Sequence, residues 1–494
     1  MESPVVVVGA GPTGMMLAGE LALAGADVLV LERLAEPSGE SRGLGFGPRT
    51  MEIFAQRGIL DDFGDFARSS AGHFGGIPLD FAVFDGAHFS VNGVPQSRTE
   101  AVLSGWLDRL GAEVRRGVEV TGVDAGVDGV DVHVTGPGGP ATLRASYLVG
   151  CDGGRSTVRA AAGFRFEGTD PTLEMYLADV EGVEVRPRLS GEHTAGGMAM
   201  AGPIGGGVTR VISCELGNEP RERTEPPAYA EVAAAWKRLT GEDIAGGRPV
   251  WVSSFTDAAR QATEYRRGRV FLAGDAAHIS LPAGGQGMNT GVQDAANLGW
   301  KLAAQAGGRA PEGLLDTYHA ERHPVGARLL RNTRAQGMLT LGGEAARPLR
   351  DVLSELMAYD EVARHLAGMV SGLDIRYDVG PGDHPLLGRR MPHIGLVTDG
   401  TKTTTTELLR TGRGVLLDLT GDADLRRAAS GWSDRVDVVT AAPADPETGG
   451  VAEAGALLIR PDGHVAWTAP DGAGGGSDGG LGEALARWFG PPRI

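Results

Sequence analysis

Residues 5–32 read VVVVGAGPTGMMLAGELALAGADVLVLE, and this stretch decides the fold. Val5–Val8 is a short β-branched run, long enough for a buried parallel strand and too short for a buried helix. Gly9-Ala10-Gly11-Pro12-Thr13-Gly14 is a GxGxxG, and Met15 to Ala24 follows it as a largely buried helix that stops at Gly25. Asp27 to Leu31 forms a second strand ending at Glu32. In such a βαβ unit Gly9 permits the tight turn, Gly11 lets the backbone approach a pyrophosphate, and Gly14 lets helix and strand pack closely. The phosphates then rest on the helix N-terminus, where free amides and the dipole favour anions. Glu32 follows Gly14 by 18 residues, placed to accept hydrogen bonds from a ribose diol. A purely structural glycine turn would share the GxGxxG but not the ordered strand, helix, strand and acid. The fingerprint alone does not separate NAD from FAD.

Composition narrows the remaining classes. A chain of 494 residues suggests about three domains. Glycine, at 79 residues, makes up about 16% of the chain against about 7% on average, without the three-residue period of collagen. The net charge of −17 and the scattering of the 46 basic residues argue against nucleic-acid binding. Only Lys237, Lys301 and Lys402 among those 46 are lysines, a skew that marks a GC-rich genome. Cys151 and Cys214 cannot build a disulfide framework and fit a reducing cytoplasm. No apolar run approaches the roughly 18 residues of a membrane span, and Met1-Glu2-Ser3-Pro4 lacks the basic start of a signal peptide. The expectation is a cytoplasmic protein with no membrane, nucleic-acid or metal partner.

Two later segments repeat the logic of a strand running into a glycine turn. Tyr147-Leu148-Val149-Gly150-Cys151-Asp152-Gly153-Gly154-Arg155-Ser156 leads into a helix from Thr157. Arg269-Val270-Phe271-Leu272-Ala273-Gly274-Asp275-Ala276-Ala277-His278 precedes Leu281-Pro282-Ala283-Gly284-Gly285-Gln286-Gly287-Met288-Asn289, which opens another helix. A glycine-rich loop at a helix start offers several backbone amides to an electron-rich ligand edge.

The ordered set GxGxxG with a distal acid, Asp152-Gly153, then Gly274-Asp275 with the Pro282–Asn289 loop, resembles the class A flavoprotein monooxygenases, the p-hydroxybenzoate hydroxylase group. The wider pattern is similar to the aromatic polyketide hydroxylases of actinobacteria, especially those of angucycline pathways. Supporting stretches are Glu40–Phe46, His73–Gly76, Val94–Ser97 and Tyr265–Arg269. That resemblance implies FAD contacts at Gly9, Gly11, Pro12, Thr13 and Gly14 (pyrophosphate), Glu32 (adenosine ribose), Arg33 (near adenine) and Val120. It implies Arg42 and Gln96 on the phosphates or ribityl chain, and Asp275 on the ribityl or pyrophosphate region. Gly285, Gln286, Gly287, Met288 and Asn289 would set amides against the flavin N1 and C2 carbonyl. Asp152 would serve both FAD and NAD(P)H, although a helix-capping role explains it equally well. Arg42 and Pro282 are the implied catalytic positions, the Pro282 carbonyl orienting the oxygenating species. Phe46, His73, Phe74 and Pro282 are the candidate substrate contacts. His278 reads as a packing histidine, and Met15, Met16 and Met288 as core fillers.

The fold class expected is α/β and α+β multidomain: a Rossmann-like FAD domain, an antiparallel-sheet substrate domain and a C-terminal thioredoxin-like domain. The FAD domain would be discontinuous, residues 1–72, 98–170 and 265–375, with a hairpin from Glu119 to His133 around Asp128-Gly129. Residues 73–97 and 171–264 would form the substrate domain, whose alternations at Glu181–Val185 and Thr209–Ser213 suggest a sheet with one wet face. Residues 376–494 would hold strands at Gly414–Leu419, Val436–Thr440 and Gly455–Arg460, a turn at Pro461–His464, a mobile loop at Gly472–Gly480 and a final helix through Trp488. The resemblance implies the thioredoxin-like label for this tail; it contains no cysteine, so dithiol chemistry is impossible.

The implied function is hydroxylation of a polycyclic angucycline-type phenol with FAD, transient NADPH (or NADH) and O2, through a flavin C4a-hydroperoxide. The chain would act as a monomer or homodimer. One dinucleotide fingerprint means the flavin must move to meet the nicotinamide. No His–Asp or paired-carboxylate arrangement in the sequence stands out to deprotonate the phenol. A Baeyer–Villiger oxygenase acting on a related ketone would share every flavin motif. An NAD-dependent dehydrogenase without flavin would share only the first, and a non-enzymatic interaction protein would leave all three unexplained.

Overall fold

The computed structural model describes residues 3–41, 43–66, 69–84, 94–445, 450–451, 453–470 and 480–493. Val5–Val8 lies at the centre of a six-stranded sheet, parallel to Val28–Glu32 on one side and to Tyr147–Gly150 on the other. Glu113–Arg116 extends the first side; Val270–Leu272 and the antiparallel Arg266–Arg267 extend the second. All four valines are buried, as expected for a parallel strand covered on both faces. The first helix runs Pro12–Leu23, starting earlier than Met15 because the fixed φ of Pro12 suits the first helical position. The expected hairpin forms from Glu119–Ala125 and Val130–Gly136, and Gly139–Ala145 adds a third antiparallel strand.

A second, five-stranded antiparallel sheet has the spatial order Arg188–Thr194, Gly197–Gly205, Val208–Glu215, Glu174–Glu181, Arg248–Thr256. Two expectations fail here. Glu181–Val185 is not a strand, since pairing ends at Glu181 and residues 182–187 are irregular. Nor is one face of the sheet wet. Tyr176, Ala178, Val180, Ala199, Ala201 and Val211 pack under the Tyr229–Thr240 helix, while Met175, Met198 and Cys214 on the other face pack against Leu281. Two covers explain why seven of the eight residues of Glu174–Glu181 are buried. Ala71–Phe74 and Ile77–Asp80 make a separate hairpin whose Phe74 and Leu79 share a small core with Leu366 and Ala367 of the Asp360–Ser371 helix.

The tail folds around a four-stranded sheet in the order Val436–Thr440, Gly414–Asp418, Ala454–Ile459, Val465–Pro470; only the first pair is parallel. Its last helix, Leu481–Phe489, contributes Leu485, Trp488 and Phe489 to a core that also contains Trp300 and Leu314. The tail is therefore fused to the rest of the chain by shared apolar packing. The loop expected at Gly472–Gly480 lies, but for Gly480, outside the described residues. No helix among the described residues is long and apolar enough to cross a membrane.

Candidate active site

The three glycine motifs meet at the carboxyl ends of neighbouring parallel strands, where open α/β sheets bind ligands. A methyl group on Gly14 would sit 2.0 Å from the Gly9 carbonyl oxygen, and one on Gly9, at φ +103°, 2.5 Å from that of Cys151. The first motif is thus locked against the second by backbone contact. Thr13 reaches the third: a methyl group on Gly274 would approach its Oγ1 to 2.7 Å. Gly11 differs from all of these. Its φ of −79° suits any residue, and an added methyl group would meet no protein atom within 4 Å. Nothing in the protein demands glycine there, so the open space beside it is what a ligand backbone approach would require.

Glu32 ends the second strand and is held by the fingerprint loop: its carboxylate accepts from Ala10 N at 2.8 Å and Leu34 N at 2.9 Å. Each oxygen keeps a lone pair for a ribose hydroxyl. Arg33 beside it is exposed, and Val120 is buried at the start of its strand. Arg42 lies outside the described residues. Its neighbours are well fixed: Gln96 Oε1 accepts from Gly43 N at 3.3 Å while Gln96 Nε2 donates to Glu100 Oε1 at 2.8 Å. Asp152 accepts from Ser156 Oγ at 2.5 Å and Val158 N at 3.0 Å, and burial pushes its carboxyl up. It braces the Thr157–Ala161 helix, whose N-cap is Ser156. Asp275 is exposed at the next strand end.

The Pro282–Asn289 loop ends in the helix Gln286–Ala306, whose N-cap Gly285 is left-handed and supplies no side-chain cap. Its first amides therefore await an outside acceptor. The side chains of the loop point elsewhere. Gln286 Nε2 donates to Ala283 O at 2.9 Å and its Oε1 accepts from Asn332 at 2.7 Å. Asn289 Oδ1 accepts from Gly47 N at 2.7 Å, and its amide nitrogen donates to Gly285 O at 2.8 Å. Gly287 and Met288 are half-buried, and Met288 packs against Gly43. Pro282 is exposed, but its carbonyl already accepts from Gly285 N at 3.1 Å, so one lone pair remains for another donor.

Two of the aromatic candidates are core residues rather than chamber walls. Phe46 is 1% exposed, its ring edge-on to Phe54 at 5.0 Å and Phe63 at 5.8 Å. Phe74 is buried with Leu339 and Leu366 under the 71–80 hairpin. His73, beside it, is half-buried; its Nδ1 accepts from Gly76 N at 3.3 Å, and burial lowers its pKa. Met15 and Met16 lie in the main core, as expected.

The loop itself packs against the five-stranded sheet and the end of the Asp316–Leu341 helix. Met175, Met198, Met200, Cys214, Phe255 and Leu341 gather around Leu281 and Ala283. On the same face Arg210 forms a two-pronged ion pair with Asp179, at 2.7 and 2.8 Å, and also donates to the Ser41 carbonyl. Sequence reasoning missed these residues. The every-second-residue spacing was visible, but the loop that covers Met175, Met198, Met200 and Cys214 lies about 70 to 105 residues further along the chain.

His278, read from the sequence as a packing histidine, is buried and paired with an acid. His278 Nε2 lies 2.7 Å from Asp294 Oδ2, and Asp294 also accepts from Gly274 N at 3.1 Å and Arg322 Nε at 2.7 Å. Burial alone would raise the Asp294 carboxyl, but Arg322 and His278 hold it below its ordinary range. Both side chains of the pair are at most 1% exposed, so it braces the Gly274–Asp275 turn from behind and cannot reach a substrate.

Residues 2–333 match the family described as FAD binding domain, and residues 384–492 that described as aromatic-ring hydroxylase, C-terminal. The chain is 47% identical, over the full length of both, to 12-dehydrotetracycline 5-monooxygenase/anhydrotetracycline 6-monooxygenase of Streptomyces rimosus. It is 44% identical to a rifampicin monooxygenase of Streptomyces venezuelae, covering 94% of this chain and 96% of that one. The crystal structure of CabE, an aromatic hydroxylase from angucycline biosynthesis, superposes with a TM-score of 0.96 at 62% identity over all of both chains.

Proposed function

The chain belongs to the FAD-binding aromatic-ring hydroxylases and is a flavoprotein monooxygenase; on that premise we propose that it hydroxylates a polycyclic aromatic polyketide, an angucycline-type phenol, using FAD, O2 and NADPH. The observation that carries this reading is the open cradle at Gly11 together with the uncapped amides after Gly285. Bound FAD would activate O2. The protein's own part is binding, orientation and exclusion of water. Gly11 and the start of the Pro12–Leu23 helix would receive the pyrophosphate, Glu32 the adenosine ribose, and the Gln286, Gly287 and Met288 amides the flavin edge where charge develops. Met200 and Phe255, the partly exposed side chains packed on the glycine loop at 281–285, would cover the aromatic rings without offering a proton.

Three finer readings accompany it. The FAD domain comprises 1–72, 98–170 and 265–375, the substrate domain 73–97 and 171–264. The tail from 376 is thioredoxin-like, on the strength of its strand order and final helix, with no cysteine to give it redox chemistry. NADPH binds transiently, and the chain works in the cytoplasm as a monomer or homodimer. The test is flavin extraction from the purified chain, followed by NADPH consumption with a panel of angucyclinone and anthracyclinone phenols and connectivity of the product by NMR. A new ring hydroxyl is the expected outcome. An oxygen inserted into the ring skeleton would establish the Baeyer–Villiger alternative instead, and a colourless chain that takes up no flavin would refute both.

A further inference from the structure

Directly behind the Gln286–Ala306 helix, a turn of the C-terminal layer enters the flavin-binding part of the chain and is met there by buried charge. Arg460 donates to both Glu321 carboxylate oxygens, at 2.6 and 2.9 Å. Lys301 Nζ donates to Glu321 Oε2 at 2.8 Å. Asn297, on the flavin-loop helix, donates to Glu321 Oε2 at 2.6 Å and to Asp462 Oδ2 at 3.3 Å. From the other side Arg49 donates to the Asp462 carbonyl and Arg57 to the Pro461 carbonyl, both at 2.7 Å. Arg460 and Lys301 are 0% exposed. Arg49, Gln293, Asn297, Tyr377, Asp462 and His464 enclose a small cavity with room for a single water molecule.

The contacts continue to the site. The His464 ring lies against Tyr377, centroids 4.4 Å apart, and the Tyr377 hydroxyl accepts from Arg322 Nη1 at 3.0 Å. Arg322 in turn donates to Asp294 Oδ1 and to the Thr290 carbonyl, and Asp294 Oδ2 accepts from Gly274 N. Adhesion alone does not call for this arrangement. Trp300, Trp488 and Phe489 already join the layers by apolar packing, and buried ion pairs are often replaceable by hydrophobic residues without loss of stability. What directional charge contacts add is a single register between two surfaces.

We propose that Asp462, His464 and Tyr377 are positioning residues: the C-terminal turn fixes the register of the Gln286–Ala306 helix and of the Gly274–Asp275 turn, and through them the amides that face the flavin. This rests on the FAD reading above. It gives the cysteine-free tail a task at the site that needs no chemistry of its own.

Three full-length variants test it: Tyr377→Phe, Asp462→Asn and, as a control, Leu457→Ala in the buried core of the C-terminal sheet. FAD dissociation constants are read from flavin fluorescence, and hydrogen exchange is followed over residues 274–294 in the flavin-free chain. Tyr377→Phe, which removes one hydroxyl, weakens FAD binding about 3- to 10-fold, the factor one hydrogen bond is worth, and speeds exchange over 274–294. Asp462→Asn does so more strongly. Leu457→Ala lowers the melting temperature while leaving both readouts at the parent's values. A Tyr377→Phe chain that matches the parent in both readouts overturns the proposal, as does a Leu457→Ala control that reproduces the losses. Should Asp462→Asn fail to fold, Tyr377→Phe decides alone. A parent chain that binds no flavin refutes the FAD reading instead, and the exchange arm still reports on the register.

Discussion

Gly11 and Gly14 stand three residues apart in one motif and respond in opposite ways to the same added methyl group. At Gly14 it would lie 2.0 Å from a backbone oxygen, so Gly14→Ala forces the helix off the strand and costs about 1–3 kcal/mol or more. At Gly11 it meets no protein atom, and reduced freedom in the unfolded chain favours the variant by about 0.4–1 kcal/mol. Gly11→Ala therefore melts no lower than the parent as apoprotein, yet loses at least about tenfold in FAD affinity, a factor worth roughly 1.4 kcal/mol. Differential scanning calorimetry of the apoprotein and an FAD titration check the pair. A smaller effect is expected behind them: Ser156→Ala removes the helix cap that accepts from Arg159 N and costs about 1 kcal/mol in denaturant unfolding. At this scale the sequence announced the glycine turns, whose close backbone contacts the fold requires. Side chains were read less well, because Gln286 and Asn289 also spend polar atoms on Asn332 and Gly47, partners that no local pattern announces.

Among the elements, the five-stranded sheet was the least legible. Its alternation was visible at Thr209–Ser213, but alternation identifies two faces without saying what covers each. A helix formed by residues 229–240 covers one and the glycine loop at 281–285 the other, so a face expected to be wet is packed. Phe46 and Phe74 illustrate the converse: aromatic residues beside a motif were expected to line the chamber, and aromatic and aliphatic packing took them into cores. The Arg210–Asp179 pair fastens this sheet to the Ser41 carbonyl, next to the implied catalytic position 42. Arg210→Met leaves Asp179 buried and unpaired and should cost about 3–5 kcal/mol. Arg210→Met combined with Asp179→Leu should recover most of that loss. Urea midpoints of the two variants measure it; equal midpoints for both would mean the pair is not coupled.

For the molecule as a whole, the tail is joined by charge as well as by packing, and charge makes the junction sensitive to acid. Burial would raise the Glu321 carboxyl, but Arg460 and Lys301 bring it down to about 2. Arg460 and His464 likewise hold Asp462 well below its ordinary range despite its burial. A carboxylate with a depressed folded pKa contributes its stability above the unfolded value and loses it as pH falls through the folded one. The C-terminal junction should therefore loosen between about pH 4.5 and pH 2, seen as a change in the fluorescence of Trp300 and Trp488, over which Arg460 lies at 5.4 and 4.4 Å. Lys301 acts in the other direction: burial lowers it to about 8, so its penalty is relieved as pH rises from about 8 towards 10.5. None of this junction was readable from sequence, since Arg49, Arg57, Glu321 and Arg460 become neighbours only in the assembled chain. The ordered glycine motifs, in contrast, carried the resemblance that pointed to FAD and to the family. The most direct test of the central claim is incubation of the FAD-loaded chain with NADPH, an angucyclinone phenol and isotopically labelled dioxygen. A hydroxylase yields one labelled oxygen atom per product, as a hydroxyl on an aromatic carbon, with one NADPH consumed; product without label, or NADPH oxidation that ignores both flavin and phenol, would contradict hydroxylation.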